Sequence, residues 1–243
     1  MKTLGLFSTA TLAIILFHSA ASAQNINWST PAGITGDANL STAGVYFDAL
    51  IPEYTGTALT ADGVLFNNDS SATTSGGGDG TISYAWTTTG NSPYDYTSFN
   101  LGSTAFNAVM NAGGAYENGL QSGSVTISGL TAGNTYSVQD FEYAANANGI
   151  TTFSGATPTT INSANVGGAG TLGEYVSGTF TATSGTETFD FSGVSPASYT
   201  VLGSLSVFNI TSVPEPSSGS LTVAGCVVAL GLARLRQRQE SNF

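Results

Sequence analysis

Two acidic residues, Asp140 and Glu142, are spaced for carboxylate chemistry, because they lie two positions apart in a predicted strand. Alternate residues of a strand share one face, so their Cα atoms are expected roughly 6.5–7 Å apart. A glycosidase needs only two carboxyl groups that flank the scissile bond. The same spacing is more typical of a solvated sheet face, and the sequence therefore predicts no catalytic residues.

A second group of oxygen-bearing side chains could bind calcium. It consists of Asp62, Asn67, Asn68, Asp69 and Asp79. Calcium binds carboxylate, amide and backbone carbonyl oxygens. Asn and Asp also form turns by bonding their own backbone, which explains the same residues without a metal. We predict no metal ligands and no cofactor, and a structural calcium ion stays open as an alternative.

Aromatic side chains are the third candidate, because tyrosine and tryptophan rings can stack on sugars. Ile82, Tyr84 and Trp86 alternate along one predicted strand and are expected in the core. Tyr94 and Tyr96 follow a turn, and we expect them to be exposed. They are the candidate ligand-binding residues.

Missing residue types restrict the chemistry further. Residues 24–213 contain 13 of the 15 acidic residues and no Lys, Arg, His or Cys. This excludes a Ser-His or Cys-His dyad, a lysine Schiff base and a histidine zinc site in that region. A uniformly acidic surface also repels phosphate backbones, so we predict no nucleic-acid partner.

The elements that would position these residues are short strands separated by Gly, Ser, Thr and Asn. Alternation predicts strands at residues 44–51, 63–66, 81–88, 124–128, 135–139, 174–182, 187–191 and 199–210. Residues 99–113 have weak helical spacing and are expected to form a short helix or a loop. In residues 188–192, Phe189 and Phe191 should face the core and Asp190 the solvent. We predict an all-β fold, an antiparallel β-sandwich of jelly-roll or carbohydrate-binding-module type.

Two turns add detail to this fold. Ser184 and Gly185 are expected to form a hairpin turn between two strands. Leu130, Gly133 and Tyr136 keep the spacing L-x-x-G-x-x-Y, which resembles a turn of fibronectin-III-like sandwiches. That resemblance implies that the Tyr136 hydroxyl bonds back to the preceding loop.

The first 23 residues have the pattern of a secretory signal peptide. Lys2 precedes an apolar stretch, and Ala21-Ser22-Ala23 forms an A-x-A cleavage site. Signal peptidase is thus expected to leave Gln24 as the first residue. An N-terminal membrane anchor is the alternative, but the apolar run is short for one.

The C-terminal residues 213–243 combine a Pro-Glu-Pro motif, an apolar run and a basic cluster. Residues 220–235 would span about 24 Å as a helix, slightly less than the hydrocarbon core of a bilayer. The positive-inside rule predicts that the arginines stay in the cytoplasm and that the body lies outside. The motif and the basic cluster are formed by Pro214, Glu215, Pro216, Arg234, Arg236 and Arg238.

This tail resembles the PEP-CTERM sorting signal of Gram-negative bacteria. The resemblance implies recognition by an exosortase, a membrane transpeptidase-like enzyme, and removal of the tail at residues 214–216. Such tails occur on exported proteins linked to exopolysaccharide and biofilm. An ordinary C-terminal transmembrane anchor would give the same topology.

The sequence thus predicts a signal peptide at residues 1–23, an extracytoplasmic β-sandwich at 24–212 and a sorting signal at 213–243. The expected product is a non-enzymatic cell-surface or extracellular-matrix protein, held by its C-terminal helix in the inner membrane before processing. Its partners would be signal peptidase, exosortase and exopolysaccharide. A calcium-assisted carbohydrate-binding module is the first alternative, and a carboxylate-based glycan hydrolase or lyase is the second.

Overall fold

The fold is all-β with one short helix, as the alternation predicts. A computed structural model describes residues 25–69, 73, 76–87, 92–94, 99–143, 149–163 and 172–211. Its strands pair antiparallel with one exception, the parallel pair formed by Val45–Ile51 and Val64–Asn68.

The strands within the described residues are short. In chain order they are β1 (Asn27–Trp28), β2 (Ala32–Gly33), β3 (Val45–Ile51), β4 (Leu59–Ala61), β5 (Val64–Asn68), β6 (Gly76–Gly78), β7 (Ile82–Trp86), β8 (Ser92–Tyr94), β9 (Gly114–Asn118), β10 (Ser122–Ser128), β11 (Thr135–Glu142), β12 (Ile150–Phe153), β13 (Thr159–Asn162), β14 (Glu174–Thr181), β15 (Thr186–Gly193), β16 (Tyr199–Leu202) and β17 (Ser204–Asn209). A 3₁₀ turn covers Asp37–Asn39, and helix α1 covers Thr104–Asn111.

These strands form three sheets. The eight-stranded sheet has the order β1-β14-β11-β17-β3-β5-β4, and β2 pairs with β14. The six-stranded sheet has the order β13-β12-β15-β10-β7-β6, and the three-stranded sheet has the order β16-β9-β8. Strand β11 therefore lies inside the largest sheet, between β14 and β17.

The main core lies between the eight-stranded and six-stranded sheets. Phe189 and Phe191 point into it and Asp190 points out, which confirms the predicted alternation in β15. Ile82, Tyr84 and Trp86 are also buried there, as predicted. Such alternation is expected of antiparallel strands with one covered face.

A second core covers the opposite face of the eight-stranded sheet. Helix α1 places Phe106, Val109 and Met110 against that face, where the Phe106 ring contacts Phe141 of β11. Ser103 caps the helix, because its hydroxyl accepts a hydrogen bond from the Phe106 amide at 3.1 Å. The prediction of a short helix within residues 99–113 is thus confirmed. Because the two cores lie on opposite sides of the eight-stranded sheet, β11 is covered on both faces.

The tyrosine turn is confirmed. The Tyr136 hydroxyl accepts a hydrogen bond from the Thr131 amide at 2.9 Å. The Tyr136 ring packs in the first core, and its hydroxyl thus holds the loop before β11 in place. Leu130 is buried in the same core.

Two local predictions are wrong. Ser184 and Gly185 do not close a hairpin, because β14 belongs to the eight-stranded sheet and β15 to the six-stranded sheet. Phe180 and Phe189 enter one core from opposite layers, so the chain must cross between sheets there. The single strand expected at 199–210 is two strands, divided at Gly203, where a Cβ atom would overlap the carbonyl oxygen of Phe141.

Candidate functional site

An open cleft of about 360 Å³ lies where the two large sheets meet. The residues that line it are Phe47, Asp48, Asn67, Asn68, Asp79 and Thr81. Three of these belong to the group predicted from sequence as calcium ligands, namely Asn67, Asn68 and Asp79. We call this surface the acidic cleft.

Asn67 joins the two carboxylates of the acidic cleft. Its side-chain amide donates to Asp48 Oδ1 at 2.8 Å and to Asp79 Oδ2 at 3.1 Å. The parallel pairing of β3 and β5 brings Asp48 next to Asn67. Asp79 comes from the turn between β6 and β7, where its Oδ1 accepts the amides of Thr81 and Ile82 at 2.9 Å each. The cleft is therefore built from both sheets.

The electrostatics of the cleft favour uptake of positive charge. Burial, followed by the negative charge of Asp79, raises the pKa of Asp48 to about 6. Because two neighbouring carboxylates repel each other, a proton or a cation between them is stabilising. Asp48 was missed by the sequence reasoning, although a single carboxylate within the apolar strand VYFDALI is a signal that could have identified it.

The other two predicted ligands have structural roles. Asp69 is buried, and its carboxylate accepts hydrogen bonds from the amides of Glu53 and Gly78 and from the Tyr84 hydroxyl. Burial raises the pKa of Tyr84, and the hydrogen bond from its hydroxyl to the Asp69 carboxylate raises it further. Asp62 has a positive φ of 48° in the turn between β4 and β5. The turn interpretation holds for Asp62, whereas the hydrogen-bond partners of Asp69 lie on distant segments and not on its own backbone.

No group of three or more His, Cys, Asp or Glu side chains suited to a metal ion occurs among the described residues. The acidic cleft offers a smaller set, with two carboxylates, two side-chain amides and one hydroxyl. Oxygen ligands of this kind suit calcium better than a transition metal.

The Asp140 and Glu142 pair is brought together, but not on a solvated face. Both residues have an exposure of 0%, so the interpretation as a solvated sheet face is wrong. The sheet is covered on both sides, which removes the wet face that an alternating strand normally has. The Gly203 amide donates to Asp140 Oδ1 at 3.1 Å. Burial raises the pKa of both carboxyl groups, and the charge of Asp140 raises that of Glu142 further.

The remaining predicted sites are only partly described. Tyr94 ends β8, and its backbone pairs with Gly114. The Tyr94 side chain and the whole of Tyr96 lie outside the described residues. So do the signal-cleavage residues Ala21, Ala23 and Gln24 and the sorting residues Pro214, Glu215, Pro216, Arg234, Arg236 and Arg238.

Within the described part of the chain, no helix is long and apolar enough to cross a membrane. The predicted C-terminal helix falls outside that part. The chain matches no protein-family model, no curated protein and no solved structure.

Proposed function

We propose that the chain is an exported, non-enzymatic protein of the cell surface or extracellular matrix that associates with exopolysaccharide. In this proposal signal peptidase removes residues 1–23, and an exosortase removes the tail at residues 214–216. The C-terminal apolar run holds the precursor in the inner membrane until then. The released domain, residues 24–212, is a β-sandwich of jelly-roll or carbohydrate-binding-module type.

The observation that carries the proposal is the outer face of the six-stranded sheet, which we call the hydroxyl face. Most of its side chains are short and uncharged. Ile150 of β12 is a larger apolar exception, and Asp190 is the one charged residue that points outward from β7, β10, β12, β13 or β15. The hydroxyl-bearing residues are Ser83, Ser122, Ser124, Thr126, Ser128, Thr152, Thr160, Thr186, Thr188 and Ser192.

The hydroxyl face is ordered by its own hydrogen bonds. The hydroxyl oxygens of Thr126 and Thr188 lie 3.0 Å apart across β10 and β15. Those of Thr152 and Thr160 lie 2.8 Å apart across β12 and β13. Each hydroxyl both donates and accepts, so it can exchange this bond for one to a sugar hydroxyl. The acidic domain repels anionic polymers, and the fitting partner is therefore a neutral polysaccharide.

The buried acid pair supports a non-enzymatic role. A substrate cannot reach carboxyl groups that have 0% exposure, so Asp140 and Glu142 cannot flank a scissile glycosidic bond in this fold. This removes the sequence's main reason for a hydrolase or lyase.

Binding to the host's purified neutral exopolysaccharide by co-sedimentation tests the hydroxyl face. Replacing Thr126 and Thr188 with Val removes two hydroxyl groups with little change of shape, and we expect affinity to fall about tenfold. Thr60→Val is the matched control, because Thr60 is exposed on β4 at the edge of the other large sheet. Equal binding by both variants and the wild type would exclude the hydroxyl face as the binding surface.

Calcium binding in the acidic cleft is a second candidate function, which would make the domain a calcium-assisted module. The two-carboxylate geometry of Asp48 and Asp79 favours it, because burial and repulsion from Asp79 raise the pKa of Asp48, and a divalent cation would relieve that repulsion. Asn67 could then turn its amide oxygen toward the ion, since the two ends of an amide are nearly the same in shape.

Thermal unfolding of the chelator-treated protein tests this second function. If calcium is present at about 100 times its Kd, we expect the melting temperature of the wild type to rise by about 5 °C or more. Asp48→Asn combined with Asp79→Asn should abolish the rise, and Asp190→Asn should keep it. The same rise in all three proteins, or none in the wild type, would exclude the cleft as a calcium site.

A further inference from the structure

Asp140 and Glu142 form an acid pair in the interior of the domain. They lie on the inward face of β11, next to Val138 and Tyr136 of the first core. Both are fully buried. Within the described residues, Asp140 Oδ2 and both carboxyl oxygens of Glu142 form no hydrogen bond of normal geometry. The fourth oxygen, Asp140 Oδ1, accepts a hydrogen bond from the Gly203 backbone amide at 3.1 Å.

The elements packed around the pair supply no positive charge. From β14, the charged neighbour is another carboxylate, Glu174, whose backbone is paired directly with Glu142 and whose Oε2 accepts the Asn162 amide. From β12, the neighbour is the Thr151 hydroxyl. Strand β17 contributes Leu205 opposite Asp140, and β17 contains no titratable residue. Strand β16 carries one, Tyr199.

No basic residue elsewhere in the domain can compensate for the pair, because residues 24–213 contain no Lys, Arg or His. An ionised carboxylate buried without a partner costs several kcal/mol or more, so a buried acid without a cation keeps its proton. The raised pKa values of both groups have the same physical origin.

The pair lies at a junction of all three sheets. Asp140 binds the amide of Gly203, the residue that connects β16 of the three-stranded sheet to β17 of the eight-stranded sheet. Thr151, beside Glu142, links β12 of the six-stranded sheet to β16, because its hydroxyl donates to the Val201 carbonyl at 2.9 Å and accepts the Val201 amide at 2.8 Å. Water or charge entering here would separate these layers.

We infer that Asp140 and Glu142 act as a pH-sensitive latch, closed while both are neutral acids and opened when rising pH ionises them between β11, β12 and β16. The folded domain binds more protons at this site than the unfolded chain, in which carboxyl groups ionise near pH 4. Stability from the latch is thus complete below about pH 4 and is lost as pH rises through the raised, folded-state pKa values.

Urea unfolding of the full chain between pH 5 and pH 7 tests the latch. For each carboxyl that stays protonated only when folded, the folding equilibrium constant falls roughly tenfold per pH unit. The variant Asp140→Asn/Glu142→Gln keeps the shape of both side chains but replaces the two titrating carboxyl groups with amides. The fall of its folding equilibrium constant per pH unit should therefore be at least tenfold smaller than that of the wild type. Asp190→Asn, an exposed carboxylate on β15, should keep the wild-type slope. Equal slopes in all three proteins would overturn the inference.

Infrared spectroscopy gives a measurement that needs no double variant to fold. The carbonyl stretch of a protonated carboxylic acid is separate from that of a carboxylate, and the folded wild type should show it at pH 7. It should weaken in Glu142→Gln. Lack of the band in the wild type, or an unchanged band in folded Glu142→Gln, would overturn the inference.

Discussion

Two pairs of carboxyl groups in this domain meet the same problem in different surroundings. Asp48 and Asp79 lie in the open acidic cleft, and Asp140 and Glu142 lie in the interior. Neither pair can use a basic side chain, because the domain has none. In both, burial and a like charge raise at least one pKa.

The difference between the pairs is access and the number of donors. In the cleft, the Asn67 amide and the backbone amides of Ala49, Thr81 and Ile82 stabilise the charge, and the site opens to solvent. Burial and the charge of Asp79 raise the pKa of Asp48 to about 6, and the bonds from Ala49 and Asn67 act in the opposite direction. The interior pair has no exposure, its Asp140 Oδ1 accepts the Gly203 amide, and burial raises the pKa of both carboxyl groups.

The largest expected effect comes from Gly203→Ala, which disturbs the interior pair and leaves the cleft intact. The new Cβ atom would overlap the carbonyl oxygen of Phe141, the residue between Asp140 and Glu142. We expect a loss of about 3 kcal/mol in the free energy of unfolding, measured with urea.

Gly185→Ala is the control for that substitution. Gly185 is exposed, and the nearest atom to an added Cβ is the Leu130 carbonyl oxygen at 3.8 Å. The free energy of unfolding should change by less than about 0.5 kcal/mol. Similar losses in the two variants would mean that the packing around the interior pair is not tight.

A medium effect is expected in the cleft. Asp79→Asn removes the like charge beside Asp48, so the pKa of Asp48 should fall from about 6 toward its ordinary value. A fall of about one unit corresponds to about 1.4 kcal/mol between the two protonation states. NMR titration of the Asp48 carboxyl carbon measures it, with Asp190→Asn as the control. An unchanged pKa would show that the two carboxylates are independent.

The smallest effect separates an ordinary hydrogen bond from the acid pair on the same strand. Tyr136→Phe leaves the Thr131 amide without its hydroxyl acceptor, and we expect a loss of about 1 kcal/mol in the free energy of unfolding. The loss should be the same at pH 5 and pH 8, because the bond involves no proton exchange. A loss found only at pH 8 would show that Tyr136 is coupled to the latch, and would contradict the separation of this hydrogen bond from the acid pair.

The sequence predicts what depends on local pattern. Alternation identified the faces of Phe189, Asp190 and Phe191, and the spacing of Leu130, Gly133 and Tyr136 predicted the hydrogen bond to the loop. Both signals are contained within a few consecutive residues, so no distant partner is needed to interpret them.

What the sequence could not predict depends on distant partners. The alternation along β11 places Asp140 and Glu142 on one face of the strand. It does not reveal that the six-stranded sheet covers this face and that α1 covers the opposite one. Asp48 was overlooked because its contact with Asn67 requires the parallel pairing of β3 and β5. For the same reason Ser184 and Gly185 resembled a hairpin turn while joining two different sheets.

Removal of both ends would leave a domain without a basic side chain, since Lys2 and the three arginines lie outside residues 24–213. The most direct measurement is mass spectrometry of the mature protein from the cell surface. We predict a chain that starts at Gln24, ends at or before residue 216 and gives no internal tryptic fragment. A surface protein that retains Arg234, Arg236 and Arg238 would contradict exosortase processing and the cation-free domain together.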